Sequence, residues 1–463
     1  MTVAERINER SIGVIGMGRS GLAAASLAAA YGGLPFVSDA AGADSLSEVT
    51  AQLKQEGIPF ETGGHTDRLL QSDYVVVSPG VPPTADILKK LQSKGIPVFS
   101  EIEFASWVCR GKIIGVTGSN GKTTTTTLIG EILTAAGLDS LVCGNIGLPF
   151  AQVADKIGPD SVAVVEVSTF QLERIADFNP HIALILNLSP DHLDRHGSFD
   201  AYKKLKYRIT ENQTENDFLI LNAQDNEIIA DNVQTAATKM FFTTEETTDN
   251  AVWVSGGDLF LALSGRGSRV VSARDIRIPG PHNLQNAAAA VAVAGLIGVD
   301  VEVMARVLKK FPGVEHRLES VARVAGIDFI NDSKATNVDS VCYALRSIDT
   351  PIHLIAGGRD KGASYEPLST YGRGRISSVV LIGEAKDKMF DSLGRNFAVQ
   401  FAESLEAAVR TSFAQARPGE TVLLSPGCAS FDMFDNYEQR GKAFKTAVAE
   451  LRSDRKENET ISD

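Results

Sequence analysis

The sequence predicts an α/β protein of three domains, each built on a mostly parallel sheet. Three observations predict it. Short, continuously apolar runs recur along the chain, as in strands buried on both faces. Each run ends in a polar or glycine-rich turn, and two such turns open directly into helix-like segments. The chain has 463 residues, more than a single hydrophobic core organises.

The first domain is expected over residues 1–102. An apolar run at 12–15 leads into Gly16-Met17-Gly18-Arg19-Ser20-Gly21 and an alanine-rich helix at 22–30. A second strand, 35–38, ends at Asp39. Glycines let the backbone approach a phosphate and an acid one strand later meets a ribose, so the pattern is that of a Rossmann-like nucleotide site. By itself it fits NAD as well as another nucleotide. A further strand at 74–77 runs into Ser78-Pro79-Gly80.

The second domain, 103–313, carries the most informative string: Thr117-Gly118-Ser119-Asn120-Gly121-Lys122-Thr123-Thr124. It lies between an apolar run at 113–116 and a helix at 124–136 closed by Gly137. Strand, glycine turn and helix N-terminus together aim backbone N–H groups and a positive dipole end at phosphate. Lys122 adds a mobile cation for the outer phosphates, and the Thr123 hydroxyl a ligand for magnesium. Val116 stands where the usual pattern has its first glycine, so this is a shortened phosphate loop in a P-loop ATPase-type domain. Strands at 162–167 and 182–188 run into Ser168-Thr169-Phe170-Gln171 and Ser189-Pro190-Asp191-His192. Residues 216–271, richer in polar and β-branched side chains, predict an antiparallel excursion.

The third domain, 314–463, reads as a second Rossmann-like α/β unit. Apolar strands around Phe329, Leu354, Leu381 and Leu423 end in Asn331-Asp332-Ser333-Lys334, Gly357-Gly358-Arg359-Asp360-Lys361, Gly383-Glu384 and Ser425-Pro426-Gly427. Ligands of open α/β sheets collect at such carboxyl ends. The polar tail after Leu451 is expected to fray.

Composition narrows the partners. With 45 basic and 57 acidic residues the net charge is −12, which disfavours a sequence-independent grip on nucleic acid. Cys109, Cys143, Cys342 and Cys428 lack zinc spacing and read as reduced thiols of the cytoplasm. The first residues lack the apolar core of a signal peptide. The longest strongly apolar run, 287–299, falls short of the ~20 residues that span a bilayer, so no membrane anchor is expected.

Glu166 ends an apolar strand, where a carboxylate is costly unless paired or metal-bound. Magnesium prefers oxygen ligands, which makes Glu166 the partner of Thr123 around a triphosphate. His192 follows the next strand in the same way, although imidazole is not a preferred magnesium ligand.

The phosphate-loop string, Glu166 to Gln171, Asn187 to Arg195, and Pro279-Gly280-Pro281-His282-Asn283 together resemble the Mur ligases, ATP-dependent amide-forming enzymes of peptidoglycan precursor synthesis. Ile330-Asn331-Asp332-Ser333-Lys334-Ala335-Thr336-Asn337 and Ser425-Pro426-Gly427-Cys428-Ala429-Ser430 look like those of members that add D-glutamate to UDP-N-acetylmuramoyl-L-alanine. The resemblance covers essentially the whole chain, with the motifs in order. It implies a monomeric ligase of small molecules that phosphorylates a carboxylate with ATP and lets an amine displace the phosphate through a tetrahedral intermediate.

Carried over residue by residue, the resemblance implies that Gly118, Ser119, Asn120, Gly121, Lys122, Thr123 and Thr124 cradle the ATP phosphates. Asn283 and Asn286 would reach the adenine, and His316, Arg317 and Asp332 the ribose and phosphates. Thr123, Glu166, His192 and a carbamylated Lys206 would hold two magnesium ions, with Lys122, Glu166, His192 and Lys206 as the catalytic set. A carbamate suits Lys206 because an ammonium has no lone pair for a metal. Gly18, Arg19, Ser20, Asp39, Ser78, Gly80, Asn145, Gln171 and His192 would hold the UDP-precursor. Lys334, Thr336, Lys361, Ser430, Phe431 and Tyr437 would hold D-glutamate. One departure stands out: Ala40 and Ala41 follow Asp39 where relatives place a hydroxyl and an arginine, and Arg19 is the expected substitute cation. The rivals are an amide ligase of the same superfamily with another amino acid, an NAD-dependent oxidoreductase, and a P-loop switch; the last two each use one glycine loop and leave the other motifs unassigned.

Overall fold

The computed structural model describes residues 3–245, 251–263 and 267–461. Among these residues three sheets form, each from one of the expected sequence blocks. The first has the spatial order Phe60–Glu61, Leu34–Ser38, Ser11–Ile15, Tyr74–Val77, Val98–Ser100, all parallel. Its strand order reverses at Ser11–Ile15, so the glycine turn that follows lies at the switch point where open α/β sheets bind ligands. Gly21 lets the helix Arg19–Ala30 seat on that turn, because a Cβ there would lie 1.8 Å from the Gly16 carbonyl oxygen.

The second sheet places Lys112–Thr117 between Val162–Glu166 and Ile182–Ile185. These strands are apolar and buried along nearly their whole length, as central parallel strands require. Phe218–Asn222 and Thr238–Phe242 extend the sheet in parallel. The antiparallel excursion expected from residue 216 begins later: among the described residues, antiparallel pairing in this sheet starts where Val252–Ser255 meets Asp258–Leu261, which in turn pairs antiparallel with Ser268–Ser272. Residues 246–250 and 264–266 of that segment lie outside the described residues.

The third sheet is ordered Glu319–Val324, Ile327–Asn331, Thr421–Leu424, Ile352–Gly357, Ile376–Ile382, Ala398–Phe401. Only its first pair is antiparallel. The tail differs from expectation. The helix Tyr437–Ile461 continues past Leu451 to the last described residue, and residues 462 and 463 lie outside the described residues.

The chain forms two compact units: Met1–Pro190 with Ser198–Asp275 and Gln285–Lys310, and Phe311–Asp463 with Asp191–Gly197 and Ile276–Leu284. In the first unit one hydrophobic cluster joins Ile12 and Val14 of the first sheet to Val165 and Ile185 of the second. Glu103 reinforces it: its buried carboxylate accepts the Trp107 indole N–H and the backbone N–H groups of Ala176, Asp177 and Phe178. In the second unit two clusters cover the two faces of the third sheet. Among the described residues no helix is long and apolar enough to cross a membrane.

Candidate active site

The phosphate loop leaves the carboxyl end of Lys112–Thr117, and the helix Lys122–Ala135 starts directly after it. Gly121 caps this helix with φ +84°, a region that favours glycine, and a Cβ there would sit 2.3 Å from Asn286 Oδ1. Asn286 is buried and accepts from the Thr125 hydroxyl at 3.3 Å. So Asn286 comes together with the loop, at its helix end.

The two neighbouring strands flank the loop. Val116 pairs with Glu166 on one side and Thr117 with Ile185 on the other. Beyond Ile185 the chain bolts onto the loop: Asn120 N–H donates to Asn187 Oδ1 (2.8 Å), and Asn187 Nδ2 donates to the Asn120 carbonyl (3.0 Å). Ser119 N–H donates to the Asn187 carbonyl, and the Ser119 hydroxyl exchanges hydrogen bonds with the Ser189 backbone. Asn187 falls within Asn187–Arg195, but no local sequence signal marks it as the clamp of the loop, a role that follows from strand register.

Glu166 is buried. Its Oε1 accepts from Asn145 Nδ2 at 2.8 Å, whereas Oε2 has no hydrogen-bond partner among the described residues. The Thr117 hydroxyl, also buried, is likewise unpartnered. An unmatched buried carboxylate oxygen and an unmatched buried hydroxyl, at the ends of two neighbouring strands, are donors of the kind a hard divalent cation takes. The residues present therefore fit magnesium. Thr123 is buried in the first turn of the helix. Lys122 turns back onto its own loop, donating to the carbonyls of Gly118 (2.7 Å) and Ser119 (2.9 Å).

Three lysines crowd the helix Phe199–Tyr207, and their environments separate them. Lys204 is exposed. Lys203 is matched by Glu227 (2.8 Å) and Asp231 (3.0 Å), hydrogen bonds that push its pKa up. Lys206 is buried, donates to the Gly118 carbonyl at 2.8 Å and stands 4.6 Å over the Tyr202 ring. Tyr202 in turn contacts the Ser119 hydroxyl. Of the three, Lys206 alone reaches the phosphate loop among these contacts.

In the first domain a cleft of about 540 Å³ is lined by Gly16, Gly18, Arg19, Ser20, Asp39, Ser78 and Gly80, together with His65. Asp39 turns its carboxylate onto backbone, accepting from Met17 (2.6 Å) and Ala41 (2.8 Å). Arg19 donates to the Gly147 carbonyl at 3.0 Å. Asn145 and Gln171 lie elsewhere: Asn145 on Glu166, and Gln171 buried in the capping box of the helix Thr169–Leu172. Gln171 also bonds Glu101, whose burial pushes its pKa up to about 7 despite a 2.6 Å bond from the Ala151 N–H.

The second unit gathers three turns at one end of its sheet, because Asn331 pairs with Leu424 and Ile355 with the same residue. Asp332 is buried there, which raises its pKa to about 6 against the pull of Arg317, 3.9 Å away, and a 2.8 Å bond from the Ser425 hydroxyl. His316 and Leu318 flank Arg317 with φ +64° and +44°, a backbone strain that fixes its direction. Lys361 approaches the Thr336 hydroxyl (3.4 Å), and Lys334 stands 5.3 Å over the Tyr437 ring. Ser430 is buried and Phe431 exposed. Arg440, fully buried, ties two of the turns together by donating to the Ser333 hydroxyl and carbonyl and to the Cys428 and Ala429 carbonyls. Asn283 donates to the Pro279 carbonyl at 2.7 Å, and His192, in the left-handed conformation with φ +51°, lies 3.8 Å from Asp191.

Three α/β sheets, with a phosphate loop flanked by a metal-suited carboxylate, define a nucleotide-dependent enzyme class. Comparison with known proteins sharpens this. Residues 11–87 match the MurD N-terminal domain, 116–294 the Mur ligase middle domain, and 316–428 the Mur ligase glutamate ligase domain. The chain is 42% identical to the UDP-N-acetylmuramoylalanine–D-glutamate ligase of Chlorobaculum tepidum, over 96% of this chain and 99% of that protein. It is 40% identical, with the same coverage, to the enzyme of that name from Chloroherpeton thalassium. The solved structure of UDP-N-acetylmuramate–alanine ligase MurC from Thermotoga maritima shares the fold, with TM-score 0.62 and 18% identity over 95% of this chain and 99% of that one. The chain belongs to the Mur ligase family, in the branch of its D-glutamate-ligase relatives.

Proposed function

We propose that this protein joins D-glutamate to UDP-N-acetylmuramoyl-L-alanine at the expense of ATP, a step of peptidoglycan precursor synthesis. The observation that carries the reading is Glu166, register-paired beside the phosphate-loop strand with one buried carboxylate oxygen unmatched. It stands in a chain 42% identical along almost its whole length to a ligase of that name.

A carboxylate resists amines because its carbon is electron-rich and its oxygen leaves poorly. Transfer of the γ-phosphoryl group gives an acyl phosphate, which the D-glutamate amine attacks; the tetrahedral intermediate then collapses to amide and phosphate. Positioning and charge stabilisation are the protein's share of this work. The loop from Gly118 to Thr124 holds the phosphates, chiefly through the N–H groups at the start of the helix Lys122–Ala135, since those of Ser119 and Asn120 are held by Asn187, and Lys122 exchanges its loop carbonyls for phosphate oxygens. Thr123 and Glu166 would hold a magnesium ion, with His192 and Lys206 as the second set, and the metal's charge would offset that of the phosphates. Carbamylation of Lys206 is part of this proposal. It would replace a cation by an anion in a buried site, so it requires the metal's charge beside it.

Asn283 and Asn286 are assigned to the adenine, and Arg317 and Asp332 to the ribose and phosphates. Lys334, Thr336, Lys361, Ser430, Phe431 and Tyr437 are assigned to D-glutamate, whose two carboxylates need cations and hydroxyls. The first-domain cleft is assigned to the UDP group, with Arg19 as the cation near its diphosphate, and Asn145, Gln171 and His192 further along the precursor. The functional domains are taken as 1–102, 103–313 and 314–463. The enzyme acts as a monomer in the cytoplasm, where ATP is abundant and its four free cysteines stay reduced.

Phosphate release from ATP tests the reading. It is expected to need both UDP-N-acetylmuramoyl-L-alanine and D-glutamate, and to stop when D-glutamate is replaced by L-glutamate. Equal release without either acceptor or amine would instead mark a nucleotide switch.

A further inference from the structure

No sequence motif singles out His65, yet it lines the first-domain cleft together with the glycine turn and Asp39. Its surroundings fix its tautomer. Glu61 accepts from the Thr66 N–H (2.9 Å), the Thr66 hydroxyl (2.6 Å) and the Ser38 hydroxyl (2.7 Å). Burial would raise the Glu61 pKa, but these bonds outweigh it and hold the carboxyl below its ordinary range. An ionised carboxylate only accepts, so the single Ser38 hydroxyl proton is committed to Glu61. Ser38 Oγ lies 2.7 Å from His65 Nδ1 and must therefore accept there. Nδ1 carries the proton, and Nε2 is left as an acceptor with no partner among the described residues. Burial lowers the His65 pKa despite the neighbouring Asp39 and Glu61 carboxylates, which keeps the ring neutral near pH 7.

What such an acceptor recognises follows from the sheet. In a doubly wound sheet the diphosphate lies over the first glycine turn and the acid after the second strand marks the ribose. The base then lies further out, toward the third strand and its following loop. Here that strand is Phe60–Glu61 and the loop carries His65. We propose that His65 is a specificity-determining residue, whose Nε2 accepts the imide N3–H of uracil and so selects a uridine diphosphate group. Cytosine presents an acceptor at that position and would oppose Nε2 with a second lone pair. This rests on the reading of the cleft as the site of the UDP group.

Calorimetric titration of the full-length protein with UDP, N3-methyl-UDP and CDP tests it. UDP is expected to bind about tenfold more tightly than either analogue, the scale of one hydrogen bond gained and one acceptor left unmatched. His65→Phe keeps a ring without an acceptor and should bring UDP down to the level of the other two. His65→Gln restores an acceptor and should recover part of the preference, which a purely structural role would not do. If the phenylalanine variant does not fold, the wild-type ratios and the glutamine variant decide. Equal binding of all three ligands by the wild type, or a preference that survives His65→Phe, overturns the proposal and leaves the UDP reading intact. Failure of the wild type to bind any of them overturns both.

Discussion

Lys206 shows how a single side chain separates from its neighbours by environment alone. Its ammonium is buried against the Gly118 carbonyl and the Tyr202 ring, so it has no bulk water to lose and stands at the loop itself. Lys206→Ala is expected to lower turnover by at least about 100-fold, on the scale of a lost charge-stabilising group. If Lys206 acts as the proposed carbamate, small carboxylates such as formate should restore part of it by supplying two oxygens in its place; full activity in the variant would sink the assignment. Glu101 makes a different residue-scale prediction. Its burial raises the folded pKa to about 7, above the value of an unfolded glutamate near 4.5. The folded protein thus binds more protons than the unfolded one between those pH values, and the Glu101 contribution to stability is lost as pH rises through about 7. Glu101→Gln cannot ionise, so its melting temperature should gain on the wild type between pH 5 and pH 8. A pH-independent difference between the two proteins would refute this.

At the scale of elements, the phosphate loop is positioned from outside itself. Asn187 clamps Asn120 through both its amide groups, so the loop conformation depends on the chain beyond Ile182–Ile185 as much as on its own glycines. Asn187→Ala removes two hydrogen bonds from the Asn120 backbone, a loss of about 1–3 kcal/mol. The expected result is a KM for ATP raised roughly tenfold in a protein that still folds; an unchanged KM would show that the glycines suffice. This division explains what could be read from sequence. Gly118 to Thr124 were legible because strand, turn and helix signals are local, and the turns after Phe329, Leu354 and Leu423 because parallel strands end where their apolar runs end. Asn187, His65 and Arg440 were not, since each acts through a partner brought near only by strand register or by a helix distant in sequence. Antiparallel pairing starts later than residue 216 because Phe218–Asn222, an apolar strand, and Thr238–Phe242 continue the parallel sheet, and the polar residues between them are connections rather than strands.

At the scale of the molecule, three sheets do not mean three separable pieces. Sequence patterns mark where apolar strand runs begin and stop, and so suggest cuts near residues 102 and 313. Compactness is a long-range property that those patterns do not carry. The first and second sheets share one hydrophobic cluster, while 191–197 and 276–284 group with 311–463. Ile276 and Ile278 are buried, and Ile278 lies against Gly313 in the second unit. A chain cut after Gly313 would retain these isoleucines and the 276–284 segment but lose most of the unit they group with. Apolar side chains left without that cover become mobile or sticky, and a segment of low local stability is open to protease. Limited trypsin digestion of a 1–313 fragment is therefore expected to cut rapidly after Arg277, within the 276–284 segment, and more slowly there in the full-length chain. Equal rates of cutting after Arg277 in the fragment and in the full-length chain would show that the grouping of 276–284 with 311–463 has no energetic meaning.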